Sequence, residues 1–171
     1  MGGGARSGGR ILVDQLVVQG VERVFMVPGE SFLPVLDALI DSPIQPVVGR
    51  QEGGVAMMAD AVGKLTGRPG VAFVTRGPGL ANATAGIHVA RQDSTPMVVF
   101  VGQVERDQEG REAFQEVDIA AAWGPLAKWA AEIRDPRRIP EMVARAFHVA
   151  VSGRPGPVVL GLPEDMLSEP A

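Results

Sequence analysis

The 171-residue chain contains no cysteine and no tyrosine, and aromatic residues make up only 5 % of it. Without cysteine, neither a disulfide scaffold nor a thiolate metal centre can be built. Few rings remain for stacking on bases, and a net charge of −4 with no basic run offers nothing to a phosphate backbone. Nucleic acid is therefore not an expected partner. Long apolar runs are missing too. The longest, Met97-Val98-Val99-Phe100-Val101, falls far short of the roughly 20 residues that cross a bilayer, so no membrane contact is expected. The start carries no secretory pattern, which makes the cytoplasm the expected compartment. Residues 1–10, half of them glycine, read as a flexible arm.

Apolar residues are plentiful at 46 %, and a chain of this length can bury roughly 70 % of its unfolded surface. With 22 glycines and 14 prolines, many tight turns are expected. Continuous apolar runs at Val24–Val27, Pro46–Val48, Val71–Val74, Met97–Val101 and Val158–Leu160 have strand length. Helical spacing appears at Ile11–Val18, Phe32–Ile40, Glu52–Thr66, Ala81–Gln92 and Ile139–Ala150. Gly20 and Gly67 are placed to end two of these helices, and Ser31 to cap one. Apolar strands alternating with amphipathic helices predict an α/β domain: a doubly wound, mainly parallel sheet with helices on both faces.

In such a sheet, ligands bind beyond the carboxyl ends of the strands. Three post-strand segments there have unusual chemistry: Pro28-Gly29-Glu30-Ser31, Arg50-Gln51-Glu52-Gly53-Gly54 and Arg76-Gly77-Pro78-Gly79. Glu52 opens a helix, where an acid complements the helix dipole by about 0.3–1 kcal/mol. Two glycines behind it each weaken the helix by roughly 1 kcal/mol relative to alanine, a cost that close approach of another molecule would explain. A carboxyl walled by glycine backbone and apolar groups can serve as a proton donor. Gly77-Pro78-Gly79 followed by Asn82 is an incomplete dinucleotide fingerprint on the wrong strand, and a tight turn explains it equally well. His88 and His148 lack metal spacing, and no metal ligand set is expected.

Taken in order, Val27-Pro28-Gly29-Glu30-Ser31, Arg50-Gln51-Glu52-Gly53-Gly54-Val55-Ala56, Gly77-Pro78-Gly79-Leu80-Ala81-Asn82 and Ala113-Phe114-Gln115-Glu116-Val117-Asp118 resemble the pyrimidine-binding (Pyr) domain of thiamine-diphosphate enzymes, in particular the acetolactate-synthase-like branch. The resemblance implies the thiamine-diphosphate-binding fold over residues 11–167, with 168–171 starting a linker. It implies that Glu52 is the glutamate that hydrogen-bonds the cofactor's aminopyrimidine nitrogen and drives the proton relay to the thiazolium carbon. Val27, Pro28 and Gly29, together with Pro78, Gly79 and Asn82, would border the pyrimidine. Gln115 would face the reacting centre, and Phe114 would line the substrate channel. Arg76 stands where much of the family has a small residue; Gln51 and Gly53 replace a usual histidine and glutamine. These departures leave the 2-oxo acid substrate open.

Nothing in the chain resembles the family's Gly-Asp-Gly…Asn run, which holds Mg²⁺ and the diphosphate in a second (PP) domain. The resemblance thus implies half a site, inactive alone and completed by a PP domain, in a homodimer joined through the Pyr helices Glu52–Gly67 and Ala81–Gln92. FAD in the parent enzyme is left open. A piece of a three-domain enzyme is expected ahead of a stand-alone Pyr subunit of a two-chain decarboxylase. The reading from another class is a non-catalytic nucleotide- or flavin-binding module, which accounts for the sheet but not for Glu52 or Phe114-Gln115.

Overall fold

The structure, a computed structural model, describes residues 5–171. Six strands form a single sheet: β1 (Arg23–Met26), β2 (Gln45–Val48), β3 (Gly70–Val74), β4 (Met97–Gln103), β5 (Trp129–Glu132) and β6 (Pro157–Pro163). Their order is β2-β1-β3-β4-β6-β5, and every pairing is parallel. Strands β3, β4 and β6 are buried at every residue, which is why they read as unbroken apolar runs. Strand β2 lies at an edge, where Pro46 and exposed Val48 are tolerated.

The helices are α1 (Gly8–Val18), α2 (Leu33–Ile40), α3 (Glu52–Thr66), α4 (Gly77–Gln92), α5 (Ile119–Trp123), α6 (Ile139–Val151) and α7 (Glu164–Ser168). Side chains of β3 alternate between the two faces. Val71 and Phe73 join Leu12, Leu16, Val35, Val143 and Met166 of α1, α2, α6 and α7. Ala72 and Val74 join Val55, Leu80, Ile87 and Trp123 of α3, α4 and α5. The sheet is therefore wound on both sides, and all its carboxyl-end loops meet along one crest. No helix among the described residues is long and apolar enough to cross a membrane.

Several expectations shift. Residues 1–4 of the expected arm lie outside the described residues, but Ser7 already caps α1, its hydroxyl accepting the Arg10 N–H at 3.2 Å. At the other end, Arg6 and Ala171 exchange backbone hydrogen bonds of 3.0 and 2.9 Å. Ser31 caps no helix. It lies in a 3-10 turn capped by Gly29, buried, with its Oγ 2.9 Å from Thr75 Oγ1. Helix α4 begins at Gly77 rather than Ala81, so Gly77-Pro78-Gly79 forms its first turn; proline fits there because the first-turn N–H groups have no partners within the helix. The short elements α5, β5 and α7 were not expected from the sequence.

Candidate functional site

Glu52 is placed by helix ends. Gln51 caps α3, its side-chain oxygen accepting the Gly54 N–H at 2.9 Å, and Gly67 ends the helix with φ +69°. Helices α3 and α4 run side by side with neighbours four residues apart in each: Glu52 meets Asn82, and Ala56 meets Gly86. Asn82 Nδ2 donates to Glu52 Oε2 at 3.0 Å. The other carboxylate oxygen, Oε1, faces Gly79, where a Cβ would stand 3.5 Å away and only 2.9 Å from the Thr75 methyl. Glycine at 79 thus lets the start of α4 pack against Thr75, next to that oxygen. Glu52 is half-buried, with exposed Gly54, Pro78 and Asn82 around it. Its carboxyl thus stands on the crest, at the start of α3 and beside the first turns of α4.

The structure brings the other named residues to the same crest. Val27 follows β1 and packs, half-buried, against the α3–α4 side of the core; Pro28 beyond it is exposed. Gly29 packs on the residue that follows β3, since a Cβ there would lie 2.8 Å from Thr75 Cβ. Gln115 has φ +65°, and its carbonyl accepts the Gly77 N–H at 3.1 Å, so the loop after β4 rests on the first residue of α4. Gln103 Nε2 donates to Val117 O at 2.7 Å and holds the end of that loop. Phe114 projects outward at 73 % exposure. His88 and His148 are exposed on separate helices, and among the described residues no group of three or more His, Cys, Asp or Glu is gathered to hold a metal ion.

Enclosed space lies elsewhere. A cavity of about 540 Å³ sits between the loop after β4 and the end of β5, lined by Gln103, Glu109, Glu116, Glu132 and Arg134. Arg134 Nη1 donates to Glu109 and, at 3.0 Å, to Glu132. Burial, then the neighbouring Glu109, pushes the Glu132 carboxyl above the ordinary carboxylate range. A more apolar cavity of about 330 Å³ opens at the opposite edge, by Gly20, Val62, Leu65 and Phe147. Neither includes Glu52.

Sequence reasoning passed over two features of this crest. The Ser31–Thr75 hydroxyl pair carried no sequence signal, because it joins residues 44 apart. Arg76 stood out only as a departure from a resemblance, yet it is buried, and its guanidinium reaches Glu30 at 3.3 Å and Glu164 at 2.6 Å. A charge between a buried strand and a glycine-proline turn was the available signal.

Comparison with known proteins places nearly the whole chain among similar sequences. The family described as thiamine pyrophosphate enzyme, N-terminal TPP binding domain, matches residues 6–122. The chain is 40 % identical over 162 residues to the acetolactate synthase of Bacillus subtilis (strain 168), covering 95 % of this chain and 28 % of that protein. It is 42 % identical over 167 residues to the acetolactate synthase large subunit of Parasynechococcus marenigrum (strain WH8102), covering 95 % and 27 %. The mitochondrial acetolactate synthase catalytic subunit of Aspergillus candidus matches at 40 % over 162 residues, covering 94 % and 23 %. The chain spans about a quarter of the length of these curated relatives.

Proposed function

Because the chain belongs to the family of thiamine pyrophosphate enzyme N-terminal TPP-binding domains, in its acetolactate-synthase-like branch, we propose that it is the pyrimidine-binding half of a thiamine-diphosphate-dependent decarboxylase or carboligase of 2-oxo acids. One observation carries the reading: Glu52, with one carboxylate oxygen held by Asn82 and the other left open beside Gly79. A ring nitrogen needs such an oxygen, and with glycine at 79 no side chain from that position stands over it. The donor set therefore fits an aminopyrimidine.

When bound, thiamine diphosphate (thiamine pyrophosphate) supplies the nucleophilic carbon and the electron sink for loss of CO2 from a 2-oxo acid. The chain's own residues do the rest of this half. Asn82 fixes the orientation of the Glu52 carboxyl through Oε2, which leaves Oε1 to hold or pass a proton at the ring nitrogen. Val27, Pro28 and Gly29 form one wall of the cleft, and Pro78 and Gly79 the other. Gln115 and Phe114, on the loop resting on α4, reach toward the substrate. The diphosphate and its Mg²⁺ fall to a PP domain, which closes the open side of the cleft and excludes water. FAD, where the parent enzyme keeps it, belongs to a further domain. The length of the relatives supports such additional domains. The small exposed residues of α3 and α4, among them Ala61, Ala81 and Ala85 with Met57, suit a close helix-to-helix contact in a homodimer.

The test is Glu52→Gln in the complete enzyme. Turnover is expected to fall by about 10²–10⁴-fold, the usual size of a lost acid–base group, with folding intact. Near-normal turnover would remove Glu52 from the proton relay. The chain by itself is expected to release no CO2 from pyruvate; measurable release would overturn the half-site reading.

A further inference from the structure

Arg76 is a costly residue to place where it stands. Its side chain is 10 % exposed, and its Nε lies buried without a hydrogen-bond partner among the described residues. A buried cation with one donor unmet is a poor stabilising device, and an apolar side chain of similar shape often serves the fold equally well. What Arg76 does is join loops. Nη1 reaches Glu30 in the turn after β1, and Nη2 reaches Glu164, the first residue of α7 after β6. Its own backbone opens α4, the carbonyl accepting the Leu80 N–H at 3.0 Å. The same turn after β1 is pinned on either side of Glu30. Gly29 packs on Thr75, and Ser31 Oγ lies 2.9 Å from Thr75 Oγ1. Residues 29–31 therefore lie against residues 75–76, and the Arg76 guanidinium also reaches across the crest to Glu164 of α7.

We propose that Arg76 is a positioning residue for the cofactor: it sets the separation between the Val27-Pro28-Gly29 wall and the Pro78-Gly79-Asn82 wall, and so the fit of the cleft to the pyrimidine. This rests on the function proposed above. A guanidinium suits the task because its planar fork can serve two carboxylates at once, whereas an ammonium on a single stem reaches one well. Without the cation, Glu30 and Glu164 lose their shared counter-charge, and no charged contact ties Glu30 to the start of α4.

The experiment measures thiamine diphosphate binding and steady-state kinetics on the complete enzyme, with R76M, R76K and E30Q beside the wild type. In R76M the cofactor Kd is expected to rise about tenfold, or 1.4 kcal/mol, while kcat at saturating cofactor changes little. R76K should fall between R76M and wild type. Glu30 has a side chain 69 % exposed, so E30Q leaves the fold intact and should weaken binding by about two- to fivefold. A folded R76M enzyme with wild-type cofactor affinity overturns the proposal. If R76M does not fold, an unchanged affinity in E30Q overturns it instead. Wild-type enzyme that fails to bind thiamine diphosphate removes the proposed function and this inference with it; wild-type binding with unaffected variants removes only this inference.

Discussion

Gly86 and Gly54 are two glycines within neighbouring helices, and adding a methyl group to each should move stability in opposite directions. At Gly86 a Cβ would overlap the Ala56 methyl and stand 2.9 Å from the Ala56 carbonyl carbon, where helices α3 and α4 touch. Carbon contacts are comfortable at about 3.5 Å and beyond, so the helices must separate there by roughly 0.6 Å or more. Overpacking of this kind costs about 1–3 kcal/mol, and alanine returns about 1 kcal/mol of helix propensity. A net loss of about 1 kcal/mol for Gly86→Ala follows, lowering Tm by about 2–4 °C in a domain of this size. At Gly54, in contrast, nothing lies within 4 Å of the added Cβ. Gly54→Ala should stabilise the chain by about 0.5–1 kcal/mol. The assay is thermal unfolding of both variants beside the wild type. The Gly86 substitution has a second readout, because Glu52 and Asn82 sit one turn before Ala56 and Gly86. Their 3.0 Å bond is set by the same helix separation, so thiamine diphosphate binding to the complete enzyme should weaken as well. A Gly86→Ala chain that melts at or above the wild type would refute the close-crossing argument.

The remaining predictions concern the core and the loop beyond β4. Phe73 stacks on Phe100 with centroids 4.9 Å apart and meets Phe32 at 5.8 Å. Phe73→Ala should cost about 3–5 kcal/mol, seen as a lower denaturant midpoint; a cost under about 1 kcal/mol would mean that the face collapses to fill the hole. Glu132 has its pKa raised in the folded state, so its stabilising contribution is full below the ordinary value of 4.5 and is lost as pH rises through the raised value. Glu132→Gln should therefore gain on the wild type as pH rises above 4.5 in denaturant titrations, and parallel pH profiles would speak against the burial argument. Asp135 titrates the other way. Arg137 holds its pKa down to about 2, so its contribution is present above the ordinary range and is lost only in strong acid; Asp135→Asn should show its deficit at neutral pH and not at pH 2.

Local pattern was enough to read much of this protein. Apolar runs without alternation demand burial on both faces, which only a helix-covered parallel sheet provides, and β3, β4 and β6 lie where those runs are. Helix α3 was legible to the residue because its start and stop are chemical signals, a first-turn acid and a glycine at positive φ. Glu52 stood out for the same reason. What lacked a local signal was settled by tertiary contact. Strand β5 has two alanines and no β-branched residue, and it exists because β6 offers it a free edge. The start of α4 moved back to Gly77 because the loop carrying Gln115 supplies an acceptor for its first N–H. Pairs such as Ser31–Thr75 and Arg76–Glu164 join residues 44 and 88 positions apart, and no periodicity encodes such distances. The fold class and the acidic residue followed from short-range chemistry. Which groups surround that residue, Asn82 and Gly79 among them, depends on how α3 and α4 meet, and only the packed chain could decide it.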